Sequence, residues 1–87
     1  MNGICDLCGR YLPIERHHVY PGPFRKKSDK YGAVADLCHW CHNEPPDGVH
    51  HNRDMAEELK REYQIRLMEE NGWTEEQFIK EFGRSYF

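Results

Sequence analysis

A small α+β fold is what this sequence predicts, and three observations predict it. Two C-x2-C pairs, Cys5/Cys8 and Cys38/Cys41, stand far enough apart to clamp the chain between them. Two short β-like runs lie between the pairs, and the first carries the adjacent His17 and His18. After them Met55, Leu59, Tyr63 and Leu67 recur every fourth residue, the stripe of an amphipathic helix. A chain of 87 residues makes one domain, residues 1–87, and buries only a modest core. Domains of that size commonly need a staple, and four thiols in two pairs supply one as a shared structural zinc ion.

The bulk numbers limit the function classes. Hydrophobic content of 38% with 31% charged residues fits a soluble globular protein. No apolar run approaches the roughly 20 residues of a membrane span, and the N-terminus lacks a signal-peptide pattern. A cytoplasmic protein is therefore expected, in which the cysteines are reduced metal ligands rather than disulfides. The net charge of −3 is unevenly spread. Residues 1–53 hold seven Lys/Arg against six Asp/Glu, and residues 54–87 hold five against nine. All six histidines fall at or before His51, so the ligand-rich half is the half free to approach nucleic acid.

Residues 1–11 read as a knuckle around Cys5-Asp6-Leu7-Cys8-Gly9, where Gly9 permits the positive φ that brings two thiolates to one ion. A strand is expected over Glu15–Tyr20, so that His17 and His18 point to opposite faces. One can then be a metal ligand while the other reaches a substrate. Pro21-Gly22-Pro23 ends that strand, and Phe24–Lys30 reads as a basic loop whose Arg25, Lys26 and Lys27, flanked by Phe24 and Tyr31, suit a phosphate backbone. Taken alone, a short basic run is more often a solvated loop.

A second strand over Tyr31–Leu37 delivers Cys38 into the second knuckle, Cys38-His39-Trp40-Cys41-His42, in which Trp40 packs on the knuckle and His39 packs or faces solvent. Glu44-Pro45-Pro46-Asp47-Gly48 breaks the chain. A helix over Arg53–Glu70 follows, capped by Asn52 or Asp54, with Gln64 and Arg66 facing out and Asn71-Gly72 as its stop. Thr74-Glu75-Glu76-Gln77 is a capping box for a last helix over Glu75–Phe82, with Trp73 and Phe78 at staple positions and Gly83 ending it.

Cys5-x2-Cys8, then Glu15-Arg16-His17-His18-Val19, then Leu37-Cys38-x2-Cys41-His42 together resemble the HNH (ββα-metal) endonucleases over residues 4–52, somewhat more than half the chain. The resemblance implies a zinc-stabilised ββα-metal core, to which residues 53–87 add two C-terminal helices. It implies that His17 binds a catalytic divalent ion (Mg, Mn, Ni or Zn), that His18 is the general base, and that His42 completes the ion site. His50 is the candidate for a further ligand, with His51 behind it. DNA is the implied substrate, cut to leave a 5′-phosphate, with Arg16, Arg25, Lys26 and Lys27 holding flanking phosphates. So small a protein leaves little surface for base readout, and specificity would come from a protein partner. The Gly48-Val49-His50 segment and the Phe82-Gly83-Arg84 ending resemble small phage-encoded members, which implies a phage or prophage origin and a host cytoplasm.

The pattern departs at Ala33, where the family usually has an asparagine that pins the loop bearing the base. Asp36 or a backbone carbonyl is then left to do the pinning. A rival reading keeps the fold without the chemistry: a non-catalytic zinc-clamped module with a degenerate HNH site, gripping DNA or a protein. Ala33 and the acidic balance favour it, and the set His17, His18, His42 and His50 disfavours it. A weaker third reading is a structural zinc protein whose extra histidines bind adventitious metal.

Overall fold

The computed structural model describes residues 1–46 and 48–87. Asp47, part of the expected chain break, lies outside the described residues. Three strands form one antiparallel sheet in the order β1 (Asn2–Ile4), β2 (Tyr11–His18), β3 (Val34–Cys38). Among the described residues the other elements are a 3-10 turn over Gly22–Phe24 and helices α1 (Arg25–Tyr31), α2 (His39–His42), α3 (Arg53–Asn71) and α4 (Glu75–Phe82), which bears out the α+β expectation.

β2 is the hub of the sheet, and it starts earlier than expected. Residues 11–13 pair with β1, in the register Ile4↔Tyr11 to Asn2↔Pro13. Residues 14–18 pair with β3, from Ile14↔Cys38 to His18↔Val34. Each half is thus paired on one side only. Pro13 fits inside the strand because the β3 ladder begins one residue later, so its missing N–H breaks no bond there. β1 itself went unforeseen: three residues are too few to show an alternating pattern.

The strand does not run to Tyr20 as expected. Val19 N–H still donates to Ala33 O at 3.0 Å. At Tyr20 the ladder is replaced by one hydroxyl: Ser28 Oγ accepts from Tyr20 N at 3.1 Å and donates to Tyr20 O at 2.8 Å. Both backbone groups of a fully buried residue are satisfied this way, and the segment bearing Ser28 is docked on the core.

That segment is a helix rather than the expected basic loop. Its sequence, Arg25-Lys26-Lys27-Ser28-Asp29-Lys30-Tyr31, has no apolar period to announce α1. Tertiary contacts hold it. Lys27 Nζ donates to Glu81 O at 3.0 Å and pairs with Glu81 Oε2 at 3.2 Å, and the Tyr31 ring meets Trp73 at 4.9 Å between centroids.

α3 begins as expected, with Asn52 Oδ1 accepting from Met55 N at 3.1 Å. Leu59, Tyr63 and Leu67 are buried and Met55 half-buried, so the stripe is core. Gln64 was expected to face out and does not. It is fully buried, donating to Ser85 Oγ at 3.0 Å and accepting from Tyr86 N at 2.7 Å, so it ties the C-terminal tail to α3. The capping box at Thr74 and Gln77 is formed in both directions. α4 closes the core around Tyr20, whose ring lies 4.4 Å from Phe82 and 5.7 Å from Phe78. Among the described residues no helix is long and apolar enough to cross a membrane.

Candidate metal centres

The two C-x2-C pairs meet at the end of the sheet. Cys5 and Cys8 come from the turn after β1. Cys38 ends β3, and Cys41 lies on α2. All four Sγ atoms lie within 4.8 Å of one another, and all four are free thiols. With Zn–S bonds of about 2.3 Å, tetrahedral geometry puts two sulfurs about 3.8 Å apart. Cys8 Sγ and Cys38 Sγ are 3.8 Å apart. The tetrad is therefore shaped to bind a structural metal, and its chemistry suits zinc.

The backbone prepares the site. Gly9 takes φ +75°, as the knuckle requires, and its N–H donates to Cys5 O at 2.9 Å. Asp6 ties this turn to β3: its N–H donates to Asp36 O and its Oδ2 accepts from Asp36 N, both at 2.8 Å. The Arg10 backbone N–H and then its guanidinium hold the exposed Cys8 thiol down at about 6. At Cys5 burial opposes ionisation, but the backbone N–H groups of Cys8, Cys38 and Leu7 outweigh it. Burial pushes the Cys41 thiol up, and the neighbouring thiols push the same way. Four thiolates so close ionise together only around a cation. Trp40, expected to pack on the knuckle, is 62% exposed instead, because α2 is one turn long and turns that side chain to solvent. His39, expected to pack or face solvent, is exposed and bonds Glu44 Oε1 at 2.8 Å.

A second cluster lies one residue away along α2. His17, His42 and His50 each offer a ring nitrogen, and these atoms lie within 4.8 Å of one another. Ring centroids are 5.1 Å apart for His17–His42 and for His17–His50, and 4.6 Å for His42–His50. His17 projects from β2 opposite the small Ala35 and is 7% exposed. His42 is the residue after Cys41 of the tetrad. His50 arrives through a turn that folds back along α2: Val49 N donates to Cys41 O at 2.8 Å and His50 N to His42 O at 3.2 Å. Gly48 makes that return possible. A Cβ there would stand 2.8 Å from Glu44 N and 2.9 Å from Asn43 N, both backbone atoms. Hence the Pro45-Pro46 interruption does not separate His42 from His50. His51 is exposed and stands outside the cluster.

Glu15 orients this site. Its Oε1 is 2.8 Å from His42 Nδ1 and accepts from Asn43 Nδ2 at 3.0 Å. An ionised carboxylate only accepts, so Nδ1 carries the proton and the neutral His42 ring keeps its lone pair on Nε2. That Nε2 faces His50 Nε2 at 2.9 Å. The hydrogen bond from His42 holds the Glu15 carboxyl below the usual range. Burial pushes His17 down to about 4, with His42 and His50 adding to it, and burial lowers His50 as well. These two rings thus resist protonation and stay available as ligands.

His18 points away from His17, as strand alternation requires, and its Nε2 lies 2.9 Å from Asp29 Oδ1 on α1. Asp36, a candidate for pinning this region, is not its partner. The chain leaves β2 through Pro21 and Gly22, and there a cavity of about 260 Å³ opens onto both faces of the strand end. His17, His18, His42 and His50 border it, with Arg16 and Arg25. Lys26 is exposed and does not border the cavity, and Lys27 is held by Glu81. Of the four basic residues expected to act together, the structure brings only Arg16 and Arg25 to the histidines.

Comparison of the chain with protein-family models, with curated proteins and with solved structures returned no match. The sequence reading gave Glu15, Asp29 and Gly48 no part in positioning the histidines. Glu15 was legible, since it stands two residues before His17 and so on the same strand face. Asp29 and Gly48 act through contacts that no local pattern encodes.

Proposed function

We propose that this protein is a metal-dependent endonuclease of the HNH type that hydrolyses DNA phosphodiester bonds. In this reading β2, β3 and α2 form the ββα-metal core, the four cysteines hold its shape around zinc, and the histidine cluster is the working site. The observation that carries it is the meeting of three imidazoles from β2, α2 and the turn after it in one cavity, beside His18 and two arginines.

His17, His42 and His50 would hold the divalent ion. An all-imidazole donor set favours Zn or Ni over Mg or Mn. Held there, an ion would supply charge neutralisation at the phosphate and at the leaving 3′ oxygen. The chain's own residues do the rest. Arg16 and Arg25 hold phosphate oxygens at the cavity rim. His18 takes a proton from the attacking water. The water oxygen forms the new bond to phosphorus while the bond to the 3′ oxygen breaks. That oxygen keeps the electron pair and takes a proton from solvent, leaving a 5′-phosphate on the other strand end.

The test is plasmid nicking by the purified zinc-loaded protein with added Zn, Ni, Mn or Mg. Nicking that depends on the metal and is abolished by His18→Ala is expected. No nicking with any metal, from protein that holds one zinc per chain, would replace this reading with the non-catalytic binding module.

A further inference from the structure

We infer that Asp29 is the residue that orients His18, filling from α1 the role for which Ala33 has no polar group. The inference rests on the nuclease reading for its catalytic meaning, but its geometry stands independently.

Ala33 is fully buried, its N–H donating to Ser28 O at 2.7 Å and its carbonyl accepting from Val19 N at 3.0 Å. It offers nothing that could hold an imidazole. Asp36 pairs through its backbone with Asp6, and its carboxylate is not the one that meets His18. Asp29 Oδ1, in contrast, sits 2.9 Å from His18 Nε2.

The bond has a direction. Asp29 Oδ1 also lies 3.6 Å from Arg16 Nη2, so a guanidinium flanks the same oxygen. A carboxylate only accepts, so Nε2 must carry the ring proton of neutral His18. Nδ1 is then the nitrogen with a free lone pair, and His18 borders the cavity that the ion ligands also border. One tautomer is selected, and one nitrogen is left to take the proton from water.

Asp29 is held more firmly than a surface residue of half-exposed side chain usually is. Ser28, just before it, is fully buried and clamps both backbone groups of Tyr20. Lys27, one residue earlier, is tied to Glu81 on α4 by a hydrogen bond and an ion pair. Gly32 N–H donates to Asp29 O and closes the helix. The C-terminal α4 thereby supports α1, and α1 presents Asp29 to the end of β2. An ordinary surface ion pair would lack this scaffold and would matter little.

Asp29→Asn and Asp29→Ala in the zinc-loaded full chain test the inference, with Arg16→Ala as a control for the second partner. The ¹⁵N signals of the His18 ring, read at about pH 8.5 where an ordinary imidazole is neutral, report the tautomer. The wild type and Arg16→Ala should show Nε2–H with an unprotonated Nδ1. Asp29→Ala should show a mixture, and Asp29→Asn, which keeps an acceptor oxygen, should restore much of the wild-type pattern. In nicking assays Asp29→Ala should lower kcat by roughly 10- to 100-fold, a part of the roughly 10²–10⁴-fold that general-base assistance contributes, while KM and divalent-ion affinity stay unchanged. The same tautomer pattern in wild type and Asp29→Ala overturns the inference, as does an altered pattern with unaltered kcat. Should the wild type nick no DNA at all, the nuclease reading fails by itself, and the ring signals still decide whether Asp29 orients His18.

Discussion

Glu15 Oε1 lies 2.8 Å from His42 Nδ1, across 27 residues of chain, and this hydrogen bond decides which nitrogen His42 turns toward its histidine neighbours. Partners of that kind fix the tautomer of a ligand imidazole and raise its basicity. Glu15→Ala is expected to weaken divalent-ion binding at the histidine cluster by about 10- to 100-fold. Titration calorimetry on zinc-loaded protein measures it. Zinc content should stay at one per chain, because Glu15 hydrogen-bonds to His42 and Asn43 rather than to the cysteine tetrad.

Cys38→Ser should abolish the folded state. Cys38 is fully buried where β3 meets α2. Structural zinc contributes on the order of 10 kcal/mol in small fingers, comparable to the about 5–15 kcal/mol that holds a whole domain. Far-UV circular dichroism with and without a chelator is the measurement. An unchanged melting temperature in the variant would show that the thiolates are not the staple. Loss of the clamp should also abolish ion binding by the histidines, since His42 follows Cys41 directly.

Gly48→Ala separates the two centres. The added Cβ would meet backbone atoms of Asn43 and Glu44 at 2.8–2.9 Å, so the turn must shift and carry His50 with it. Overpacking of this kind costs about 1–3 kcal/mol. The variant should keep its zinc, melt at lower temperature, and bind the divalent ion more weakly. Parallel zinc analysis and calorimetry would expose any loss of zinc, which would contradict the separation.

Stability should depend on pH through His17. Its folded pKa of about 4 lies below the ordinary 6.5 because burial disfavours the cation. Above pH 6.5 both folded and unfolded states are neutral at this ring, and the contribution is flat. As pH falls from 6.5 toward 4 the unfolded chain binds the proton and the folded chain does not, so stability declines across that window. His50, also lowered by burial, acts in the same direction. Urea midpoints measured from pH 7.5 downward, about one unit above the ordinary imidazole value, should drop less steeply for His17→Gln than for the wild type.

Arg25 and Lys27 should part company in DNA binding. Arg25 borders the histidine cavity, whereas Lys27 is bonded to Glu81. Arg25→Ala should weaken DNA binding and flatten the dependence of log K on log salt by about 0.9, the share of one neutralised phosphate. Lys27→Ala should leave the slope alone and cost less than about 1 kcal/mol of stability, the range of exposed ion pairs. An equal flattening in both variants would return Lys27 to the DNA path.

Much of this was readable from residue order. Local chemistry announces itself locally: the knuckle glycine Gly9, the Asn52 cap, the Thr74–Gln77 box and the α3 stripe each act through neighbours within one turn of chain. Opposite placement of His17 and His18 follows from the two-residue period of a strand. Helix α1 was hidden because Ser28, Lys27 and Tyr31 stabilise it through partners on Tyr20, Glu81 and Trp73. Gln64 was misjudged for the same reason, as its polar ends are satisfied by a tail more than twenty residues away.

What the residue order determined by itself was the donor inventory: four thiols paired for one ion, imidazoles spaced along a strand and around a knuckle, and two capped helices behind them. Only the tertiary structure decided which of those imidazoles meet. It brought His50 back past two prolines to His42, left His51 outside, and drew Lys27 away from Arg25. Donor type is a property of each residue, whereas convergence depends on the register of β2 against β3 and on a turn that closes only because Gly48 has no side chain.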